Sequence, residues 1–127
     1  MVSSSTEGPP DGWEAQLRKG SLELAILASL WRQRLYGLEI LRALEGGSGL
    51  GMLEGTLYLI LNRLKAAGLV DSEWVDAGSG HPRKYYKLTV AGEARLKVMA
   101  RTWTEFSAKV HKLVEPVLTE EEVKHVR

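Results

Sequence analysis

The chain has 127 residues, a formal net charge of +1, 44% hydrophobic residues and 26% charged residues, as is typical of a globular protein. It contains no cysteine, which excludes disulfides, thiolate metal sites, iron–sulfur clusters and a cysteine nucleophile. No apolar stretch approaches about 20 residues, the length of a membrane-spanning helix. The N-terminus lacks a basic region followed by an apolar core, so we expect no secretory signal and a cytoplasmic location.

The first part of the chain predicts a tail followed by two helices. Serine, glycine and proline dominate the N-terminus, and we expect a flexible tail over residues 1–16. Helical spacing of apolar residues begins near Trp13, and the hydroxyl of Ser21 has the chemistry of a helix cap. A second helix is predicted from about Gly37 to the glycines that begin at Gly46.

A third helix is predicted over residues 53–67, after a connection rich in glycine. Strands are predicted over residues 70–76 and 83–88, which hold the tryptophan and tyrosine residues that strands favour. The turn-forming residues between them predict a hairpin loop. One residue of the adjacent pair 85–86 is expected inside the domain, because neighbours on a strand point to opposite faces. This order predicts a mainly α fold with a small β-hairpin, a winged helix-turn-helix domain over residues 17–88.

The last helix, capped by Thr89, carries apolar residues at alternating spacings of three and four. They are Leu96, Met99, Trp103, Phe106, Val110, Leu113 and Val117. Such a narrow heptad seam is typical of helices that pair, and it predicts a coiled-coil dimerisation helix over residues 89–118. Pro116 is expected to stop or kink the helix, and Thr119 to cap a short tail or turn over residues 119–127.

Five motifs occur in an order and spacing that resemble the PadR-like transcriptional regulators, specifically the short members with a single C-terminal helix. They are KGSLE at 19–23, YGLEI at 36–40, GTLY at 55–58 leading to RL at 63–64, AGLV at 67–70, and PRKYYKLT at 82–89 with Gly92. Family members often have proline where this chain has Leu59. The resemblance implies a homodimeric winged-helix repressor that binds a palindromic operator on double-stranded DNA and responds to a small aromatic or hydrophobic effector.

The third helix and the hairpin carry the candidate DNA contacts. They are Glu54, Thr56, Tyr58, Asn62 and Arg63 on the helix, and Ser79, His81, Arg83, Lys84 and Lys87 on the hairpin. Polar side chains near the start of a recognition helix reach base edges. The hairpin carries three cations and no acid over residues 77–88, which favours phosphate contact. The alternative interpretation is a solvated surface on a winged-helix module for protein–protein interaction.

The middle of the seam is a candidate effector site. Trp103 lies between Met99 and Phe106, and tryptophan is a poor coiled-coil core residue because it is large and its N–H needs a partner. Two copies near a two-fold axis would leave an apolar slot, and the resemblance implies ligand stacking on a tryptophan at this position. The alternative is that Trp103 is plain dimer core. No cofactor, metal site or enzyme activity is expected, because the histidines are scattered and no nucleophile–base pair is recognisable.

Overall fold

The residues that the computed structural model describes are 12–46, 51–76, 78 and 80–126, with the backbone alone for 121–126. The chain divides into two compact units, one up to Leu96 and one from Lys97. The elements are α1 (Trp13–Ser29), β1 (Leu35–Tyr36), α2 (Gly37–Gly46), α3 (Glu54–Ala66), β2 (Val70–Val75), β3 (Arg83–Leu88) and α4 (Val90–Val126). Three helices followed by a hairpin confirm the predicted winged helix-turn-helix fold.

The core of the first unit is built from aliphatic side chains of α1, α2 and α3, closed by the sheet. Its most buried members are Ile26, Leu27, Leu30, Ile40, Leu57, Leu61, Leu64 and Val70. On α3 the buried residues recur at three- and four-residue intervals, so one stripe of the helix faces inward. Each fully buried leucine or isoleucine stabilises the fold by about 1.5–3 kcal/mol relative to an exposed one.

α1 starts at Trp13, where the helical spacing of apolar residues begins. The end of the tail predicted over residues 1–16 is therefore helical, and the part before Gly12 lies outside the described residues. The prediction that Ser21 caps a helix is wrong. Its hydroxyl donates to the carbonyl of Leu17 at 3.1 Å inside α1, a bond that serine makes as readily as a cap bond.

The predicted hairpin is part of a three-stranded antiparallel sheet with the strand order β1–β3–β2. β2 pairs with β3 along its whole length. The sequence does not predict β1, because two residues are too few for an alternating pattern; its residue Tyr36 pairs with Tyr85. Tyr86 is buried and Tyr85 is half-buried, so the expected division of this pair is confirmed.

The start of α4 is fixed against the end of α3. Thr89 caps α4 as predicted, since its hydroxyl accepts from the N–H of Gly92 at 2.9 Å and donates to the carbonyl of Gly68 at 2.6 Å. The N–H of Thr89 donates to the carbonyl of Leu69 at 3.1 Å. A Cβ atom at Gly92 would overlap that carbonyl, so glycine permits the close approach. The first turns of α4 therefore belong to the winged-helix unit.

The predicted stop or kink at Pro116 is not a stop, because α4 continues to Val126. The segment predicted as a short tail or turn over residues 119–127 is helical up to Val126. Thr119 lies inside the helix rather than at a cap. Proline removes one backbone hydrogen bond, and the bonds of the flanking turns carry the helix past it. Neither this helix of 37 residues nor any other in the described ranges is long and apolar enough to cross a bilayer.

Candidate nucleic-acid interface

A cleft opens between α3 and the end of the hairpin farthest from the core. Its volume is about 550 Å³, and its lining residues are Tyr36, Gly37, Tyr58, Asn62, Trp74, Arg83, Lys84 and Tyr86. Four of these are predicted DNA contacts, two from the helix and two from the hairpin. Tyr86 of β3 is buried in the core. Lys84 lies two residues earlier on the same face of β3, and this brings its side chain beside α3.

The two cations of the cleft are held against aromatic rings. The ammonium of Lys84 lies 5.8 Å from the ring centroid of Trp74 and 5.9 Å from that of Tyr86. The guanidinium of Arg83 lies 4.6 Å from the ring centroid of Tyr36. Such contacts contribute about 0.5–1 kcal/mol at exposed sites and restrict the side-chain rotamers. The positive charges are therefore partly ordered before any anion arrives.

Tyr58 connects the cleft to the helix-turn-helix. A Cβ atom at Gly37, the first residue of α2, would overlap the hydroxyl and ring of Tyr58. The close contact fixes the packing of α3 against the start of α2. Burial raises the pKa of Tyr86 above its usual value, and nearby Tyr58 raises it further, so the Tyr86 hydroxyl stays protonated.

The other predicted residues of α3 lie elsewhere on the helix. Thr56 and Arg63 line a second groove of about 810 Å³ between α1 and α3. The guanidinium of Arg63 is 3.6 Å from the carboxylate of Glu23 on α1, an exposed ion pair. Glu54 is exposed in the first turn of α3, where its charge complements the helix dipole. The predicted contacts on α3 thus spread over two sides of the helix.

The other described hairpin candidates, His81 and Lys87, do not line the cleft. His81 is exposed in the loop, and Ser79 lies outside the described residues. Lys87 pairs with Asp71 near the end of β3 away from Arg83 and Lys84, and it does not line the cleft.

Sequence reasoning misses Trp74 and Tyr36 as parts of this site. Trp74 is 69% exposed and lies directly opposite Lys84 in the strand register, so the two side chains share a face. The sequence predicts both strands but not their register, so this pairing is visible only in the structure. Tyr36 has no comparable signal, because its place depends on the two-residue strand β1.

The heptad seam of α4 is exposed within the single chain from Trp103 onward. Trp103 is 47% exposed, and Phe106, Val110, Leu113 and Val117 are also exposed. Met99 is half-buried. Leu96, predicted as the first residue of the dimer seam, is only 6% exposed and belongs to the winged-helix unit, so its own chain already covers it.

The described residues contain no group of three or more histidine, aspartate or glutamate side chains that could hold a metal ion. His111 contacts Glu115 at 3.3 Å one turn along α4, as an exposed pair. Two such ligands alone make a poor site for zinc, which needs at least three protein ligands.

Comparison with protein families identifies residues 26–98 as a match to the Transcriptional regulator PadR-like family. The matched segment runs from the buried part of α1 to the first turns of α4. It contains the whole cleft, with both α3 and the hairpin.

Solved structures give the same result. A PadR-family regulator from Eggerthella lenta is 36% identical, with a TM-score of 0.69 over 80% of this chain and 88% of that one. A PadR-like transcription factor from Bacteroides fragilis is 40% identical, with a TM-score of 0.66 over 81% and 99%. Bacillus subtilis PadR, solved in complex with operator DNA, is 25% identical, with a TM-score of 0.58 over 62% of this chain and 46% of that one.

Proposed function

Because the chain belongs to the PadR-like family of transcriptional regulators, we propose that it is a homodimeric repressor that binds a palindromic operator through α3 and the wing. The observation that carries this proposal is the cleft in which Tyr58 and Asn62 of α3 face Arg83 and Lys84 of the hairpin. Cations and hydrogen-bond donors on two sides suit a phosphate backbone that runs between helix and wing. The operator complex of the Bacillus subtilis relative supports this use of the fold. Because a transcriptional regulator of this kind must reach the DNA, we propose a cytoplasmic location.

The exposed seam of α4 supports the homodimer. From Trp103 to Val117 its side chains are open to solvent in a single chain, and burial against a second copy would remove this apolar surface from water. A two-fold dimer presents two recognition helices. We therefore expect a palindromic operator whose half-sites are about one helical turn apart, roughly 34–36 Å.

The test is selection of bound duplexes from a random pool at moderate salt. We expect enrichment of a two-fold palindrome with half-sites one turn apart. A pool without enrichment, with binding lost at physiological salt, contradicts the proposal. It would favour the winged-helix protein–protein interaction module, which the weak net charge and Glu54 on α3 also suit.

We further propose that a small aromatic effector binds between the two copies of Trp103 and releases the DNA. Trp103 keeps about half of its surface exposed, and half-buried Met99 and exposed Phe106 flank it on the same seam. Stacking of a planar ligand on each indole would contribute about 0.5–1.5 kcal/mol beyond area burial.

The effector site is tested by ligand quenching of tryptophan fluorescence. Trp103→Ala is expected to abolish the quenching and to leave the dimer intact. Trp74→Ala removes another exposed tryptophan, in the wing, and should keep the quenching. Quenching that survives Trp103→Ala would contradict the site.

A further inference from the structure

The centre of the exposed side of α3 is an aliphatic side chain, Leu59. The buried residues of this helix are Leu57, Ile60, Leu61 and Leu64. At about 100° per residue, the opposite side of the helix is centred on Gly55, Leu59 and Asn62. Leu59 is 68% exposed. It lines the groove between α1 and α3 together with Thr56 and Arg63, and it stands one turn from Asn62, which lines the cleft, so its side chain projects between the two.

The neighbours of Leu59 favour close contact with a flat surface. Gly55, about one turn earlier, has no side chain, and a Cβ atom there would meet no described atom within 4 Å. The backbone of α3 can therefore approach a partner closely at this point. Asn62 lies about one turn later and also lines the cleft beside Tyr58. Leu59 therefore projects between the backbone at Gly55 and the side-chain amide of Asn62.

The chemistry of leucine restricts what it can recognise in a major groove. Leucine has no hydrogen-bond donor or acceptor, so it cannot distinguish bases by their polar edges. The C5-methyl group of thymine is the apolar group that base pairs present there. We propose that Leu59 packs against a thymine methyl in each half-site and makes this regulator require thymine at that position.

The side chain of Asn62 fits the same preference. Its amide carries one acceptor and two donors, the pattern that pairs with the N6 and N7 edge of adenine. Leucine and asparagine side by side on α3 therefore favour A·T pairs within the contacted bases. This inference rests on the proposed DNA-binding function and assigns it a specificity-determining residue.

The test uses the duplex that the selection enriches. Each thymine of the half-site is replaced in turn by deoxyuridine, which keeps the base pairing and lacks only the C5-methyl group. With the wild-type protein, we expect affinity to fall about fourfold per half-site at one position, the effect of one buried methyl group. Substitutions at the other thymines should have little effect.

Two variants assign the effect to Leu59. Leu59→Ala should bind the thymine and deoxyuridine duplexes equally. Leu53→Ala removes another highly exposed leucine, at the start of α3, and should keep the wild-type sensitivity. Because all the deoxyuridine measurements on the wild type use unaltered protein, a folding defect in a variant cannot produce the primary result.

The outcomes separate the inference from the proposed function. If the wild type selects no duplex, the proposed function fails and this inference fails with it. If it selects an operator that has no thymine in the half-site, or binds every deoxyuridine duplex as tightly as the original, the inference alone is overturned. Equal sensitivity in Leu59→Ala would also overturn it, and would leave Leu59 as a surface for a protein partner.

Discussion

The two units of this chain differ in where their apolar residues lie, in a buried core in the first and on an exposed stripe in the second. In the described part of the chain, every buried hydrophobic side chain lies at or before Leu96, in the winged-helix unit. Between Lys97 and Glu120 no side chain is buried, although the seam is as apolar as a core stripe. The first unit completes its core with three helices and a sheet, whereas the second carries an apolar stripe along a single helix. This contrast separates the folded core from the surface that the proposed dimer would use.

The largest effect is expected from charging the seam. Phe106→Asp combined with Leu113→Asp would bury four carboxylates in a symmetric dimer without partners, which is strongly unfavourable. Analytical ultracentrifugation should find single chains at concentrations where the wild type is a dimer. Val98→Asp, an exposed position off the seam, should remain dimeric. A doubly charged variant that stays dimeric would contradict the proposed interface.

A core substitution should destabilise the first unit alone. Leu61→Ala creates a cavity at a fully buried site and is expected to lower the free energy of unfolding by about 2–5 kcal/mol. The measurement is urea denaturation in the Phe106→Asp, Leu113→Asp background, where dissociation does not contribute. Val117→Ala in that background should change the free energy by less than about 0.5 kcal/mol. Similar decreases in the free energy of unfolding for Leu61→Ala and Val117→Ala would contradict the difference between a buried core and an exposed stripe.

The wing should govern the electrostatic part of DNA binding. Arg83→Ala combined with Lys84→Ala is expected to weaken binding to all duplexes and to lower the salt slope of log K by up to about two. The slope is measured by fluorescence anisotropy across a salt series. Lys87→Ala removes a cation of β3 that does not line the cleft and should change the slope less. An unaltered slope in the double variant would exclude phosphate contact by these two cations.

The smallest effects are expected at two glycines of the first unit. Gly20 lies in α1 with open space around it, so Gly20→Ala should raise the free energy of unfolding by about 0.5–1 kcal/mol. Gly68 has a φ of 77°, and Gly68→Ala should lower that free energy by about 1–2 kcal/mol. Urea denaturation measures both. If both substitutions changed the free energy of unfolding in the same direction, backbone conformation would not explain their effects.

Periodicity predicted most of the fold, because it reports directly which faces of helices and strands are buried. The three short helices, the hairpin and the cap at Thr89 are all present in the structure. The wrong predictions rest on residues that can take either of two places in a helix. The Ser21 hydroxyl bonds backward along α1 as readily as it would cap, and Pro116 is accommodated within α4 rather than ending it.

The candidate site was only partly predictable. The sequence identified Tyr58, Asn62, Arg83 and Lys84 by residue type and order, and the structure brings them into one cleft. It could not show that Lys87 lies outside the lining of the cleft, because that depends on how the strands pack against α3. The exposed side of α3 also depends on which residues its neighbours bury, and Leu59 became a candidate contact only through that arrangement.

The sequence by itself determined the family, the order of the helices and of the two hairpin strands, and the heptad seam, because these depend on residue types and their spacing along the chain. Only the tertiary structure decided how side chains distant in sequence meet: Trp74 and Lys84 over α3, Arg83 on Tyr36, and Leu96 inside the first unit rather than on the seam. Strand register and helix packing fix these meetings, and both arise from long-range contacts that no local pattern contains.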